Sequence, residues 1–282
     1  MHRLAVLVLA LALAACGGAP PPPASEVVAV RRATLPTAPD DAAWRDVPAF
    51  AAPLVPQDMV EPRLLEPSTR EVAVRTITDG TRVALRLEWI DETRDDLPGT
   101  GRFSDACAVQ LPARVEADVP APQMGETGRP VEVSYWRAAW QAVVDGRPDT
   151  LQAIEPAAAP DHYPFDAPPL APGSPEQQAM AQRYAPARAL GNPMSGPRAQ
   201  PVQDLVAEGP GTLRPADHGR SEGRGVRTAH GWTVVVVRPL PEGLRPGQRG
   251  QVAFAVWDGA HQEAGARKMR SAWVPLLVED AR

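Results

Sequence analysis

One lysine stands apart in this sequence, because Lys268 is the only lysine among 29 basic side chains. Arginine supplies charge and hydrogen-bond donors as well as lysine does, but only the lysine amine can lose its proton in a protein. A position that keeps lysine therefore indicates a site that needs a neutral amine, as a metal ligand, a base or a nucleophile. The alternative interpretation is an ordinary surface lysine, and the residue alone leaves both open.

The elements that must position Lys268 are short strands. The chain has 34 prolines and 22 glycines among 282 residues, and no long apolar helical pattern appears. This composition predicts an all-β fold, an antiparallel β-sandwich with long proline-rich loops and one or two short helices. Strands are predicted at residues 26–32, 71–78, 81–90, 104–111, 131–144, 201–208, 211–214, 231–239, 251–257 and 268–278.

A long segment at residues 149–190 interrupts the strand pattern and is predicted to be a surface insertion within one domain spanning residues 26–282. Ser174 stands directly before Pro175, and Gln177 follows three residues after the serine. This spacing is typical of a helix N-terminus and predicts a helix that runs to about residue 185. An acidic turn leading to Trp44 is typical of extracytoplasmic sandwiches, in which the tryptophan caps the core.

The first residues determine the predicted compartment. A short basic start precedes an apolar run at residues 4–15, which is too short to span a bilayer as a mature helix. The run ends in LAACG, which resembles a bacterial lipoprotein cleavage box. The resemblance implies a signal peptide at residues 1–15, a lipidated Cys16 that starts a proline-rich tether at 16–25, and a lipid-anchored periplasmic protein. The glycine at position 17, where aspartate does not follow the cysteine, resembles the pattern of lipoproteins sorted to the outer membrane. The alternative to a lipoprotein signal is an ordinary secretory signal that happens to end in cysteine.

Charge and cysteine content limit the partners. The net charge of -5 gives no reason to expect nucleic acid. If Cys16 is lipidated, Cys107 has no partner, so no intrachain disulfide is expected and Cys107 is interpreted as a small buried apolar residue. No Cys-x-x-Cys-His motif is present, so covalently attached haem is not expected.

Several segments, taken in order, resemble a known family. They are TRVALRLEWID at 81–91, FSDACAVQLP at 103–112, Met124-Gly125 before PVEVSYWRA at 130–138, GNPMS at 191–195, GWTVVVVRPL at 231–240 and VAFAVWDGAHQEAGARKMRSAW at 252–273. These are similar to the haem-binding gamma subunit of ethylbenzene dehydrogenase and to the corresponding subunits of dimethylsulfide dehydrogenase, selenate reductase and chlorate reductase. The similarity runs from about residue 40 to 277, with 149–190 as an interruption.

This resemblance implies one non-covalent haem b whose iron is held by Met124 on one side and Lys268 on the other. A thioether favours ferrous iron, and lysine binds only as the free amine, which burial assists. The alternative for Met124 is a loop methionine that packs on the sandwich edge. His261 is the alternative axial ligand to Lys268, because histidine is the commonest haem ligand in general.

Further side chains are compatible with a haem pocket without being assigned to it. Four aromatic residues on predicted strands would pack in the core or wall the haem, and three arginines would pair with haem propionates or remain solvated. The aromatic residues are Tyr135, Trp136, Trp257 and Trp273, and the arginines are Arg137, Arg267 and Arg270.

The resemblance implies an electron-transfer subunit without catalytic residues of its own. Its partners would be a molybdopterin subunit, an iron–sulfur subunit and a periplasmic cytochrome. The predicted lipid anchor and the 149–190 insertion depart from the family pattern. The alternative hypothesis is a lipid-anchored carbohydrate-binding sandwich without haem, in which an exposed Trp140 or Trp232 would stack on sugar rings.

Overall fold

A computed structural model describes residues 24–148, 151–158, 170–171, 173–184, 186–190, 192, 198–217 and 219–280. The predicted signal peptide and Cys16 lie outside these residues. Within them, the chain forms fourteen strands, four α-helices and a 3-10 helix at Ala42–Trp44. The strands are β1 Val27–Arg31, β2 Phe50–Pro53, β3 Val55–Pro56, β4 Glu71–Thr78, β5 Arg82–Ile90, β6 Ala106–Pro112, β7 Val131–Arg137, β8 Val202–Ala207, β9 Arg214–Pro215, β10 Glu222–Arg227, β11 Gly231–Pro239, β12 Arg249–Trp257, β13 Met269–Arg270 and β14 Val274–Val278. The helices are α1 Ala138–Val144, α2 Leu151–Ile154, α3 Pro175–Tyr184 and α4 Pro186–Ala189.

The strands form two sheets that share one strand, which confirms the predicted all-β sandwich. The first sheet has the order β10-β11-β5-β4-β1-β14-β12, and the second continues β12-β6-β7-β8-β9. β12 pairs with β14 through residues 249–252 and with β6 through residues 253–257. The pairing is antiparallel except that β1 lies parallel to both β4 and β14. No tight hairpin links β1 to either neighbour, so its direction is free of the antiparallel constraint.

The core between the sheets follows the alternation of the strands. Val83, Leu85, Leu87 and Trp89 of β5 are buried in it, as the two-residue period of that strand predicts. Trp136 of β7 packs edge-on against Trp89, with ring centroids 6.3 Å apart. The shared interior is therefore filled by large apolar side chains from both sheets.

Each sheet also has an outer face. On the first sheet this face is covered by the segment before β2, where Trp44 and Val47 pack on Ile77, Val235 and neighbouring residues. The indole nitrogen of Trp44 donates to the carbonyl oxygen of Ala38 at 3.0 Å, which fixes the ring on the sheet. Trp44 thus caps this side of the molecule, as expected.

Three predicted strands are wrong in their extent. Of residues 211–214, only Arg214 lies in a strand, β9. Residues 131–144 form β7 and then the helix α1, because apolar content alone does not distinguish a strand from a helix and the alanines after Arg137 favour a helix. Residues 268–278 form two separate strands, β13 and β14, and Lys268 and Trp273 lie in the loops beside them. The predicted strands do not include residues 222–227, which form the edge strand β10.

The described helices are more numerous than the one or two predicted, but all are short. At α3 the hydroxyl oxygen of Ser174 accepts from the Gln177 amide at 3.1 Å, which confirms the predicted helix start. No helix among the described residues is long and apolar enough to cross a membrane.

Candidate functional site

A cavity of about 780 Å³ lies on the outer face of the second sheet. Its floor consists of alternate residues of β12, Ala253, Ala255 and Trp257, beside Ala108 of β6. Because successive strand residues point to opposite faces, the residues between them on β12 belong to the core instead. One strand therefore serves the packed interior and the cavity at once.

Small side chains create the space. Ala255 pairs directly with Ala108 across the β6–β12 ladder, so two methyl groups face the cavity at its centre. Aromatic rings form a wall beside them, where Tyr135 packs edge-on against Trp257 with centroids 5.1 Å apart. The resulting slot is mainly apolar, which suits a wide, flat ligand.

Met124 reaches the cavity from the loop between β6 and β7. Its backbone has φ of 70°, a left-handed conformation that is uncommon for a residue with a side chain. The carbonyl oxygen of Met124 accepts from the Gly209 amide at 2.8 Å, and the Gly125 amide donates to the Ala121 carbonyl oxygen at 2.9 Å. Gly125 also has positive φ, and a side chain there would crowd the Ala207 and Arg129 carbonyl oxygens at 3.0 Å.

Two side chains hold the Met124 loop against the sheet. The amide nitrogen of Gln110 donates to the Pro122 carbonyl oxygen at 2.9 Å, and the indole nitrogen of Trp273 donates to the Pro120 carbonyl oxygen at 2.7 Å. Since Gln110 lies within β6, the loop position is tied directly to the sheet that forms the cavity floor.

Lys268 enters from the loop between β12 and β13. Gln57 binds this loop twice, because its backbone amide donates to the Lys268 carbonyl oxygen and its side-chain amide donates to the Ala266 carbonyl oxygen. The indole nitrogen of Trp257 adds a hydrogen bond to the Gly265 carbonyl oxygen at 3.1 Å. These contacts fix where the lysine side chain starts.

The two side chains meet inside the cavity, with the Lys268 Nζ 3.9 Å from the Met124 Sδ. Burial, and secondarily the charge of Arg270, lowers the pKa of Lys268 to about 8. No ion pair between Lys268 and an acidic side chain is present in the described residues. The amine is therefore easier to deprotonate than an ordinary lysine.

A thioether and a readily deprotonated amine in an apolar slot form a donor pair suited to a metal of intermediate softness. Glu263 also borders the cavity, but one of its oxygens accepts from the Asp258 amide and the other from the Ser68 hydroxyl. The cavity thus combines metal-ligand chemistry with a largely apolar lining.

Basic side chains stand at the cavity margin. Arg137, Arg214 and Arg270 line it. The Nε of Arg270 is buried and donates no hydrogen bond within the part of the chain that the structure describes. An anionic group of a ligand could accept from that nitrogen. Arg267, the other arginine considered from the sequence, does not line the cavity.

Other residues singled out in the sequence lie elsewhere. His261 does not line the cavity; it is largely exposed, and its Nδ1 lies 2.8 Å from the Asp258 Oδ2, which raises its pKa. Trp136 belongs to the core between the sheets. Cys107 is buried, as expected, and forms no disulfide with a described residue.

The tryptophans that a sugar-binding surface would need are not exposed. Trp140 and Trp232 have relative exposures of 7% and 3%. Trp140 is covered by the Arg198 guanidinium, whose carbon lies 3.7 Å from the ring centroid, and Trp232 packs on Trp136. The expectation that either is available to stack on a glycan is wrong.

Sequence reasoning missed Gln57, Gln110 and the alanine floor. The alanines left a signal, because Ala253 and Ala255 alternate with large residues along a strand, which indicates that one face needs room. The glutamines left none, since their role depends on loops that only the fold brings near them.

Comparison with known proteins gives the chain its relatives. A family model described as ethylbenzene dehydrogenase matches residues 41–156. A protein from Haloferax mediterranei assigned as a respiratory nitrate reductase heme subunit is 27% identical, over 84% of this chain and 67% of its own length. The chlorate reductase gamma subunit of Ideonella dechloratans is 26% identical, over 98% of this chain and 97% of its own.

A third relative and the solved structures are more distant. The dimethylsulfide dehydrogenase gamma subunit of Rhodovulum sulfidophilum is 28% identical over 43% of this chain and 48% of its own length. A family 9 carbohydrate-binding module from Caldicellulosiruptor kristjanssonii, in complex with cellotriose, aligns with a TM-score of 0.43 and 7% identity, covering 91% of this chain and 94% of its own. So low a score says nothing about what this chain binds.

Proposed function

We propose that this chain, which is similar to the ethylbenzene dehydrogenase family and to the chlorate reductase gamma subunit, is an electron-transfer subunit that binds one non-covalent haem b. The observation that carries the proposal is the meeting of Met124 and Lys268, which are separated by 144 positions in the sequence and whose Sδ and Nζ lie 3.9 Å apart in the structure. Packing alone gives no reason for the single lysine of the chain to lie beside a thioether in an apolar cavity.

The residues present fit a haem. The alanine floor and the aromatic wall offer a wide apolar slot, and the sulfur and nitrogen are the two donors that six-coordinate iron would take. Arg270, with its unbonded buried Nε, is available to a propionate carboxylate. When bound, the haem supplies a one-electron redox centre.

Each residue has a separate task in this proposal. Lys268 must give up its proton before its amine can bind a metal, and its burial makes that loss less costly. Met124 supplies a neutral soft donor that favours the reduced state. If Met124 and Lys268 both bound the iron, no ligand position would remain for substrate or oxygen, which would suit electron transfer rather than catalysis.

The family also supports a proposal about partners and location. Relatives are named as gamma subunits of chlorate reductase and dimethylsulfide dehydrogenase. We propose that this chain passes electrons between the iron–sulfur and molybdopterin subunits of such an oxidoreductase and a periplasmic cytochrome. We further propose that a lipid on Cys16 holds it at the periplasmic side of a membrane, which the LAACG sequence supports.

The decisive experiment replaces Lys268 by arginine, which keeps the positive charge but cannot supply a free amine. We expect wild-type protein purified from cells to show the sharp Soret and split α/β bands of a reduced six-coordinate haem b. Lys268→Arg is expected to lose that spectrum. It should bind no haem, or bind haem with the spectrum of five-coordinate iron or of iron with a different ligand.

Arg249→Lys is the matched control, because it makes the reverse exchange at an exposed arginine that does not line the cavity. Among the ion pairs of the described residues, Arg249 pairs only with Glu26. It should leave the spectrum unchanged. If Lys268→Arg also gave a wild-type spectrum, Lys268 would not be a ligand. Colourless wild-type protein that takes up no added haem would contradict the proposed function itself.

A further inference from the structure

A cluster of three aspartates lies at one end of the sandwich, outside the cavity. Asp91 directly follows β5, Asp105 directly precedes β6 and Asp258 directly follows β12. One carboxylate oxygen from each lies within 4.8 Å of the other two. Their relative exposures are 4%, 0% and 7%, so water does little to separate their charges.

Three buried carboxylates at this spacing need a compensating positive charge, because burial and mutual repulsion both oppose ionisation. The candidates are a proton, a neighbouring basic side chain or a metal cation. The hydrogen bonds around each aspartate distinguish among them.

Asp105 is held by nitrogen donors on both of its oxygens. Its Oδ1 accepts from the Gly259 amide at 2.9 Å, and its Oδ2 accepts from the Asp95 amide at 2.8 Å and from the Trp232 indole at 2.9 Å. Donors of this kind favour the ionised carboxylate and orient it.

Asp91 has an oxygen to spare. Its Oδ1 accepts from the Thr93 amide at 3.0 Å, whereas its Oδ2 is buried and accepts no hydrogen bond from the described residues. A buried carboxylate oxygen without a donor is costly, so this atom points to a missing ligand.

The neighbouring basic groups do not occupy that position. The Nη2 of Arg227 donates to the backbone carbonyl oxygen of Asp91 at 2.7 Å, not to its carboxylate. His261 approaches the cluster from outside and contacts Asp258 alone among the three. Neither of these basic side chains therefore donates to the Asp91 Oδ2.

We propose that Asp91, Asp105 and Asp258 bind a calcium ion. Calcium takes carboxylate and carbonyl oxygens at about 2.3–2.6 Å, so two oxygens on one ion stand at most about 5 Å apart, a limit that this cluster meets. Calcium accepts irregular protein ligation, whereas magnesium demands near-octahedral geometry and retains several waters, which a buried site does not favour.

The ion would link the two sheets. Asp91 ends a strand of the first sheet, and Asp105 and Asp258 lie at strand ends of the second. Asp258 also begins the loop that leads to Lys268, so the ion would fix the start of the segment that carries the proposed haem ligand. None of the three aspartates lines the cavity, so the ion site shares no residue with the proposed haem site.

The test uses the full chain without added haem, freed of metal with EGTA and then titrated with calcium chloride or magnesium chloride. We expect calcium to bind one per chain by calorimetry and to raise the thermal unfolding temperature. Asp91→Asn should weaken calcium binding by about 10-fold or more, as loss of a ligand does.

Asp217→Asn is the matched control, because it removes the same charge at an exposed position. It should bind calcium as the wild type does. In EGTA, Asp91→Asn should be at least as stable as the wild type, because one of three repelling charges is gone; this separates a lost ligand from a misfolded variant.

An unfolding temperature of the wild type that is the same in calcium and in EGTA, without calorimetric binding, would overturn the proposal and leave a proton as the compensating charge. A stronger response to magnesium than to calcium would overturn the choice of ion. Both results are read without haem, so they stand whether or not the electron-transfer proposal holds.

Discussion

The outer faces of the two sheets differ in how completely side chains fill them. On the first sheet, branched side chains such as Ile77 and Val235 face outward and Trp44 closes over them. On the second, Ala108, Ala253 and Ala255 face outward and two loops arch over them without filling the space. The first face is a second small core, and the second is a slot.

This difference shows how a binding site is made from an ordinary sandwich. Filling a face with branched side chains stabilises the fold through buried apolar area. Leaving alanines there forgoes that contribution, and the structure then depends on loop hydrogen bonds from Gln57, Gln110 and Trp273 to hold the roof in place. The cavity is therefore a region with less buried apolar contact and more space for a ligand than the opposite face.

The largest effect should come from placing the same large side chain on the outer face of each sheet in turn. Ala255→Phe places a ring in the middle of the slot, and we expect it to abolish haem binding while changing the free energy of unfolding of the haem-free protein by less than about 1 kcal/mol, because space is available. Haem content per chain and urea denaturation measure the two quantities.

Ala84→Phe is the corresponding change on the first face, where Ala84 is fully buried under the Trp44 segment. It should lower the free energy of unfolding by roughly 1–3 kcal/mol or more and leave haem content per folded chain unchanged. Equal loss of stability in both variants would mean that the second face is packed as tightly as the first.

A smaller effect should appear with pH, through Lys268. Its folded pKa of about 8 lies below the unfolded value of about 10.4, so in that window the unfolded chain binds more protons. Below about pH 8 the cost of burying the ammonium is present in full; as pH rises through the window that cost is relieved, and the haem-free protein gains stability.

Between pH 7.5 and 9.5 we expect the wild type to gain roughly 2 kcal/mol relative to Lys268→Met in urea denaturation. The methionine variant removes the titrating amine but keeps an apolar stem of similar length. A pH dependence identical in the two proteins would show that the amine is solvated in both the folded and the unfolded chain.

The smallest effect concerns the backbone of Met124. Glycine tolerates positive φ, but its unfolded-state entropy and the loss of the Met124 side chain that packs against the sheet outweigh this gain, so Met124→Gly should lower the free energy of unfolding of the haem-free protein by about 1 kcal/mol. In the haem-bound protein the same change should lower the reduction potential, because the thioether is lost.

Gln262→Gly provides the control for Met124→Gly, since Gln262 also has positive φ, at 58°, and lies outside the cavity. It should leave the reduction potential of the haem-bound protein unchanged. A potential that shifted equally in both variants would remove Met124 from the iron.

The sequence predicted the parts of the molecule that repeat along a strand. Alternation in β5 and the apolar run of β11 predicted their positions because burial on one or both faces leaves a two-residue period or an unbroken apolar run. It did not predict α1, because an alanine-rich apolar run without a clear period fits either a helix or a strand.

Long-range proximity was the second limit. Nothing in the spacing of Met124 and Lys268 shows that they meet, and only the resemblance to a family joined them. Asp91, Asp105 and Asp258 were not recognised as a group at all, because each is an ordinary acidic residue beside a strand until the fold brings the three strand ends together.

β12 imposes a rule on how this protein can change in length. Its even-numbered residues, such as Phe254 and Val256, fill the interior, and its odd-numbered ones, Ala253, Ala255 and Trp257, border the slot. A deletion or insertion of one residue anywhere in this strand would reverse both sets, putting bulky groups into the slot and methyl groups into the interior. Changes in chain length must therefore accumulate in segments such as 149–190, while β12 can vary only by substitution.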